Sequence, residues 1–350
     1  PSLPSINEYF NLSKKIWSTG ILTHNGPYVQ KFEKDLKKSL KVNNLSVVAN
    51  GTLAIQLAIK SLNLKGEIIT TPFTWIATID AIIWEKCKPI FVDVELDTFN
   101  INPDLIEKKI TKHTVAILGV HTFSNPCNVE KIGKIAKKHD IKVIYDAAHS
   151  MFANYKKKTI LSYGDVSATS LHATKILNSV EGGVCISKNQ TLDKKKKKIR
   201  FFGFDNKGVI KNFGTNAKMT EMHAIMGILN LKNIKKILSE RKRQYLLYLN
   251  YLKNNPSISF QNFNKDKYNY SYMPIIVKNN KRLNQLIKLL KKNNYFPRRY
   301  FYPSLNKIKK LGVKKRFKNS EYLSERILCL PLYYGLEDHH ISKICKLING

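Results

Sequence analysis

The chain has 350 residues, 43% of them hydrophobic and 24% charged, which is ordinary globular usage and excludes wholesale disorder. No apolar run approaches the roughly 20 residues that cross a bilayer, so membrane insertion is not expected. Sixty Lys and Arg against 25 Asp and Glu give a net charge of +35, which suits either a polyanionic partner or a lysine-rich enzyme surface; joint enrichment in Lys, Asn and Ile, as from an AT-rich genome, favours the enzyme.

In chain order, Gly26-Pro27 opens a helix with Tyr28, Phe32, Leu36 and Leu40 on one face. Residues 46–49 read as a buried strand, followed by a helix carrying Leu53, Leu57, Ala58 and Leu62. Strands are expected at 67–70, 89–93, 114–120, 141–146 and 166–170, separated by helices at 75–85, 103–110 and 129–138. This alternation predicts an α/β domain with a mostly parallel sheet flanked by helices. After residue 187 the pattern changes. A lysine run, 194–198, falls in a helix, and long helices are expected at 219–238 and 240–252. Strands at 258–261 and 272–277 and helices at 282–292 and 340–348 predict a smaller α+β domain over 240–350, leaving 1–239 as the large domain.

The five cysteines, Cys87, Cys127, Cys185, Cys329 and Cys345, are odd in number and far apart, which excludes a disulfide framework and a zinc ribbon. Residues 1–10 lack the pattern of a signal peptide, and a cytoplasmic location is expected. The numbering opens on Pro1 rather than Met, as it would if a short leader were missing.

Four features carry chemistry. Asn50-Gly51-Thr52 lies between a strand and a helix, where backbone amides form an anion site. Trp75 follows Thr71-Pro72-Phe73-Thr74 at a strand-to-helix junction, where its ring can stack on a planar cofactor or join the core. Asp146, with His149, ends an apolar strand, as a helix cap, a metal ligand or the partner of a cationic ring nitrogen. Lys175 follows Ser170 and precedes Glu181-Gly182-Gly183. No G-x-G-x-x-G follows a strand and no P-loop motif occurs. Together these features match the demands of pyridoxal phosphate (PLP): a held phosphate, a stacked ring, a protonated pyridine nitrogen, and an aldehyde that condenses with lysine. Metal ligation has no recognised pattern here.

Several stretches in combination resemble the fold-type-I, PLP-dependent sugar aminotransferases of the DegT/DnrJ/StrS family. They are 22–27, 48–54, 71–78, 91–94, 125–129, 146–149, 170–175 and 216–221. The resemblance implies that Lys175 bonds to the cofactor and acts as acid and base, that Asp146 pairs with the ring nitrogen, and that Trp75 stacks on the ring. It places Gly51, Thr52 and Ser170 at the phosphate and His149 beside the ring. Asn216 would reach the phosphate of the neighbouring subunit, since the family's homodimers share their active sites. Lysine at 175, where the family's dehydratases carry histidine, favours transamination.

Within the family, 22–27 and 125–127 look most like enzymes that aminate C4 of dTDP-4-keto-6-deoxy-D-glucose with L-glutamate, for surface glycans such as the lipopolysaccharide O-antigen. Thr23 and Asn25 would then bind substrate, and Arg298, Arg299 and Tyr302 would line the nucleotide-sugar pocket. Two departures stand out: a family Gly is Ser124 here, and the family's Phe in the lysine motif is Leu171. Amination at C3 and a UDP- or GDP-linked sugar are the alternatives. A nucleic-acid-binding protein on the same shell is the distant one, and it lacks any helix-turn-helix or RNA-binding signature.

Overall fold

Short runs rich in Val and Ile build the central sheet, seen in a computed structural model that describes residues 1–205, 207–263 and 268–350. The chain opens with α1 (Ile6–Thr19), a helix the sequence pattern does not mark; it buries Ile16 on Ile225 and Leu229 but leaves Ile6, Phe10 and Trp17 exposed. Then come α2 (Pro27–Leu40), β1 (Leu45–Val48), α3 (Gly51–Ser61), β2 (Glu67–Thr70), α4 (Ile76–Trp84) and β3 (Lys88–Phe91). Where one helix is expected over 103–110, two single 3-10 turns occur, Pro103–Leu105 and Glu107–Lys109. So short a segment cannot offset the cost of helix nucleation.

The large sheet continues with β4 (Thr114–Val120), α5 (Val129–Lys138), β5 (Lys142–Asp146), a hairpin of β6 (Asn154–Tyr155) and β7 (Lys158–Thr159), β8 (Val166–Ser170), and β9 (Gly183–Ser187). Its strand order is β1-β9-β8-β5-β4-β2-β3, and only β9, unmarked in the sequence, runs against the rest. Successive side chains serve opposite faces. Val47, Ile117, Val143 and Val184 join a core with α2 and α5, whereas Val48, Ala116, Ile144 and Cys185 join a core with α3 and α4. Each such fully buried Val or Ile contributes about 1.5–3 kcal/mol relative to exposure.

The lysine run lies in α6 (Gln190–Ile199), and it is not all solvated. Lys196 is fully buried, donates to the Cys185 carbonyl at 2.7 Å and lies 3.4 Å from Asp193, which also accepts from Ser46. Next come α7 (Glu221–Lys232) and α8 (Ile234–Leu252). The expected helix over 219–238 therefore starts later and breaks earlier. Thr220 is extended and caps the His223 amide, and Asn233 leaves helical geometry at ψ 2°.

The C-terminal part pairs β10 (Ile258–Phe260), β11 (Met273–Val277) and β12 (Ile327–Leu330) in an antiparallel sheet, with α9 (Asn280–Lys292), α10 (Lys318–Arg326) and α11 (Asp338–Asn349) around it. Neither α10 nor β12 is marked in the sequence. Polar contacts lock this sheet to the first. Asp93 accepts from the Asn319 and Ser320 amides at the start of α10 (3.0 and 2.9 Å), and Asn269 donates to the His149 and Met151 carbonyls at 2.8 Å. Ser124 holds φ 71°, a left-handed conformation that glycine adopts without cost. Its hydroxyl accepts the Asn269 amide at 3.3 Å, and Leu171 is fully buried. All five cysteines are buried and unbridged.

One buried carboxylate organises the entry to α2. Gly26 offers no side-chain cap, so Glu221, 193 positions beyond Tyr28, accepts the Tyr28 amide at 2.7 Å and the Val29 amide at 3.0 Å. A Cβ on Gly26 would lie 2.7 Å from the Glu221 carboxyl carbon, so glycine is required there. Glu221→Ala strands two amide donors, and hydrogen bonds to charged groups contribute about 1.5–3 kcal/mol. Denaturant unfolding is expected to show a loss of about 3 kcal/mol, with Glu221→Gln losing less.

Candidate active site

The carboxyl ends of β1, β4, β5 and β8 converge on a cleft of about 490 Å³. Strand ends in such sheets gather loops and helix N-termini, and here they gather the polar side chains. Extended Asn50 caps α3, accepting the Leu53 amide at 2.9 Å. Gly51 and Thr52 begin the helix and line the cleft; their amides lack partners within the helix by its geometry. A Cβ on Gly51 would come within 2.9 Å of the Ser170 Cβ, and one on Gly183 within 2.3 Å of the Asn50 carbonyl oxygen. Glycine at both positions thus lets β9 and Ser170 press against the start of α3.

Asp146 ends β5 and is buried. Its carboxylate accepts from the Thr78 hydroxyl at 2.7 Å and the Ala148 amide at 3.0 Å. Burial pushes its pKa up, while those two bonds and the Lys175 charge oppose the rise. His149, also buried, accepts the Phe123 amide on Nδ1 at 3.2 Å, so its ring proton sits on Nε2. Burial and then the Lys175 charge hold its pKa well below the usual value, and the ring is neutral. Lys175 is half-buried, and its Nζ donates to the Tyr272 hydroxyl at 3.0 Å. Burial lowers its pKa, opposed by Tyr300 and Asp146, and Arg298 lowers it further.

Trp75, 58% exposed, lines the cleft with Ser170, Arg298 and Arg299. The Arg299 guanidinium donates to Asn280 at 3.2 Å and lies 3.3 Å from the centre of the Tyr302 ring. The cleft walls do not include Tyr302, Thr23, Asn25 or Asn216. Asn25 accepts from Arg200 at 2.9 Å, and Asn216 accepts from Lys218 at 2.5 Å. The structure adds Thr78, His121, Tyr272, Tyr300 and Phe301 at or behind the walls. Thr78 lies within a family-like stretch, but no local signal marks its hydroxyl as the Asp146 partner. Tyr272 and Tyr300 arrive from distant sequence, which only the fold brings near.

The donor set fits PLP. A helix N-terminus that tolerates only glycine offers an anion cradle. A buried carboxylate, costly to hold without a cation, suits a protonated ring nitrogen. An amine of lowered proton affinity suits imine chemistry. Beside them, His121 is fully buried, stacks on Tyr145 at 4.5 Å and accepts the Cys127 amide at 3.1 Å. Burial lowers its pKa from 6.5 to about 3. Between those values the unfolded chain binds a proton that the folded protein refuses, so this group's contribution to stability falls as pH drops below 6.5. In urea titrations His121→Asn, which keeps an acceptor for Cys127, should lose its disadvantage to the wild type by about 1.4 kcal/mol per pH unit over that window.

Comparison with known proteins agrees with this geometry. Residues 5–349 match the DegT/DnrJ/EryC1/StrS aminotransferase family. A dTDP-4-amino-4,6-dideoxy-D-glucose transaminase of Escherichia coli is 37% identical, aligned over 100% of this chain and 97% of its own length. The enzyme of the same description from Shigella dysenteriae is 36% identical over 99% and 96%. Among solved structures, DesI with its TDP-sugar product superposes with TM-score 0.94 at 26% identity, over 100% of this chain and 91% of that one. NtdA of Bacillus subtilis with bound PMP superposes with TM-score 0.89 at 26% identity, over 99% and 82%. The mixed sheet, the cleft at its carboxyl edge and these likenesses agree: the chain has the type-I aminotransferase fold, belongs to the DegT/DnrJ/EryC1/StrS aminotransferase family and is a PLP-dependent aminotransferase.

Proposed function

We propose that the protein transfers the amino group of L-glutamate to C4 of dTDP-4-keto-6-deoxy-D-glucose in the cytoplasm, making an amino sugar for a surface glycan such as an O-antigen. The observation that carries this reading is one cleft holding both a Lys175 amine of lowered proton affinity and the buried Asp146 carboxylate. The full-length likeness to transaminases of that specificity supports the sugar.

Bound in the cleft, PLP supplies an electron sink for the carbon that loses its proton. Lys175 would accept that proton and later give it up again, which needs a neutral amine; its burial favours one. Asp146 would keep the ring nitrogen protonated, with Thr78 and Ala148 fixing its oxygens. The Gly51 and Thr52 amides and Ser170 would hold the phosphate, with Trp75 and the neutral His149 available to the ring. Arg298 and Arg299, with Tyr302 bracing Arg299, receive the diphosphate of the nucleotide sugar.

Asn216, Thr23 and Asn25 lie outside the cleft of their own chain, which suits a homodimer that offers them to the partner's site. Exposed Trp17, Leu22, Phe202 and Phe213 near them in sequence are apolar surface that a second copy would cover. An apolar core drawn wholly from residues 245–348 supports a small unit over 240–350 beside a large one over 1–239, with Leu305 and Phe317 reaching into the large unit's core.

With PLP added, the protein should absorb in the visible, and Lys175→Ala should lose that band while keeping its circular dichroism. Incubation with L-glutamate and a panel of dTDP-, UDP- and GDP-linked ketosugars should give, by NMR, a 4-amine on the dTDP sugar; an amine at C3, or no transfer, overturns the assignment. Arg298→Ala should raise the nucleotide-sugar KM about tenfold, since a charge-assisted bond contributes about 1.5–3 kcal/mol.

A further inference from the structure

A lysine side chain has several rotatable bonds, and its amine visits many positions unless something selects one. Here the amine hydrogen bond goes to the Tyr272 hydroxyl at 3.0 Å, across 97 positions of sequence. Tyr272 directly precedes β11 of the smaller sheet and is 8% exposed, so water competes little for the bond. Its ring is held on several sides. It tilts against His149 with centroids 4.4 Å apart, meets Tyr300 edge-on at 5.1 Å and packs on Phe123 at 5.4 Å. Its carbonyl accepts from the Tyr268 hydroxyl at 3.2 Å. A hydroxyl so fixed is a stationary docking point, whereas the amine is the mobile partner.

We propose, resting on the function above, that Tyr272 is the positioning residue for Lys175: its hydroxyl is where the amine rests whenever it is not covalently engaged. The phenol then aims the amine at the cleft in two circumstances. The first is the capture of PLP by the free protein. The second is the interval in which the released lysine would carry the proton taken from the amino donor's α-carbon. The packing of Tyr272 on His149, Phe123 and Tyr300 makes the smaller sheet a part of that aim, since the lysine rises from the large sheet and its rest from the small one.

Tyr272→Phe removes the hydroxyl and keeps the ring. When the cofactor-free variant is mixed with PLP, the visible band should reach its full final height but grow about tenfold more slowly, as expected for lost orientation. In the loaded enzyme, kcat should fall by about the same factor with the L-glutamate KM unchanged, and α-deuterated glutamate should give a larger isotope effect because proton transfer limits more of the rate. A merely structural role would not enlarge the isotope effect. A capture rate and isotope effect equal to the wild type's overturn the proposal while the proposed function stands. Absence of the band in the wild type overturns both. Should the variant fail to fold, a crystal structure of the cofactor-free wild type decides: Nζ within hydrogen-bond reach of the phenol upholds the proposal, and a separation beyond about 4 Å overturns it.

Discussion

The site depends on keeping an amine and a carboxylate in one cleft without letting them pair with each other. Asp146 spends its oxygens on Thr78 and Ala148, and Lys175 spends its hydrogen bond on Tyr272. In a buried setting a direct ion pair would be the obvious alternative, and it would deprive the ring nitrogen of its carboxylate and the chemistry of its amine. Their mutual influence survives as a field: the Lys175 charge moderates the rise in the Asp146 pKa, and Asp146 moderates the fall in that of Lys175. Separate hydrogen-bond partners therefore keep both groups available.

That separation is built by the sheet. Asp146 and Ser170 stand at the ends of parallel strands β5 and β8, and Lys175 follows the second of them. The reversed strand β9 then returns beside β8 to pair with β1, bringing Gly183 against Asn50 and fixing the start of α3 beside Ser170. One reversed strand thus ties the anion cradle to the lysine segment. The second support is aromatic. Phe73, Phe99, Phe123, Tyr272 and Phe301 form a buried cluster between the two sheets, with edge-on contacts such as Phe73 to Phe301 at 5.0 Å. Such pairs contribute about 0.5–1.5 kcal/mol beyond their burial, and they hold the tyrosine that meets the lysine.

The charge of +35 is a different matter from the fold. Some of it is structural: Lys196 lies buried beside Asp193, and Arg200 reaches Glu33 and the Val47 carbonyl inside the large unit. Arg298, at the cleft, lowers the proton affinity of Lys175 as well as offering charge to a diphosphate. Net charge alone distinguishes none of these uses, because each depends on which side chains the fold encloses.

The amino-acid sequence by itself determined the alternation of strand and helix from Gly26 to Ser170 outside 103–110, the glycine at the start of α3, and the order of Gly51, Trp75, Asp146 and Lys175 along the chain. These are legible because strand burial, helix capping and glycine's lack of a Cβ act within a few residues. The sequence left β9, α10 and β12 unmarked and misplaced the break between α7 and α8, since short buried strands lack a period and Asn233 is a weak breaker. Only the tertiary structure decided that Thr78 serves Asp146, that Glu221 caps α2 and that Tyr272 meets Lys175. Those contacts join residues 68, 193 and 97 positions apart, and no local preference of the chain encodes which distant side chain will arrive.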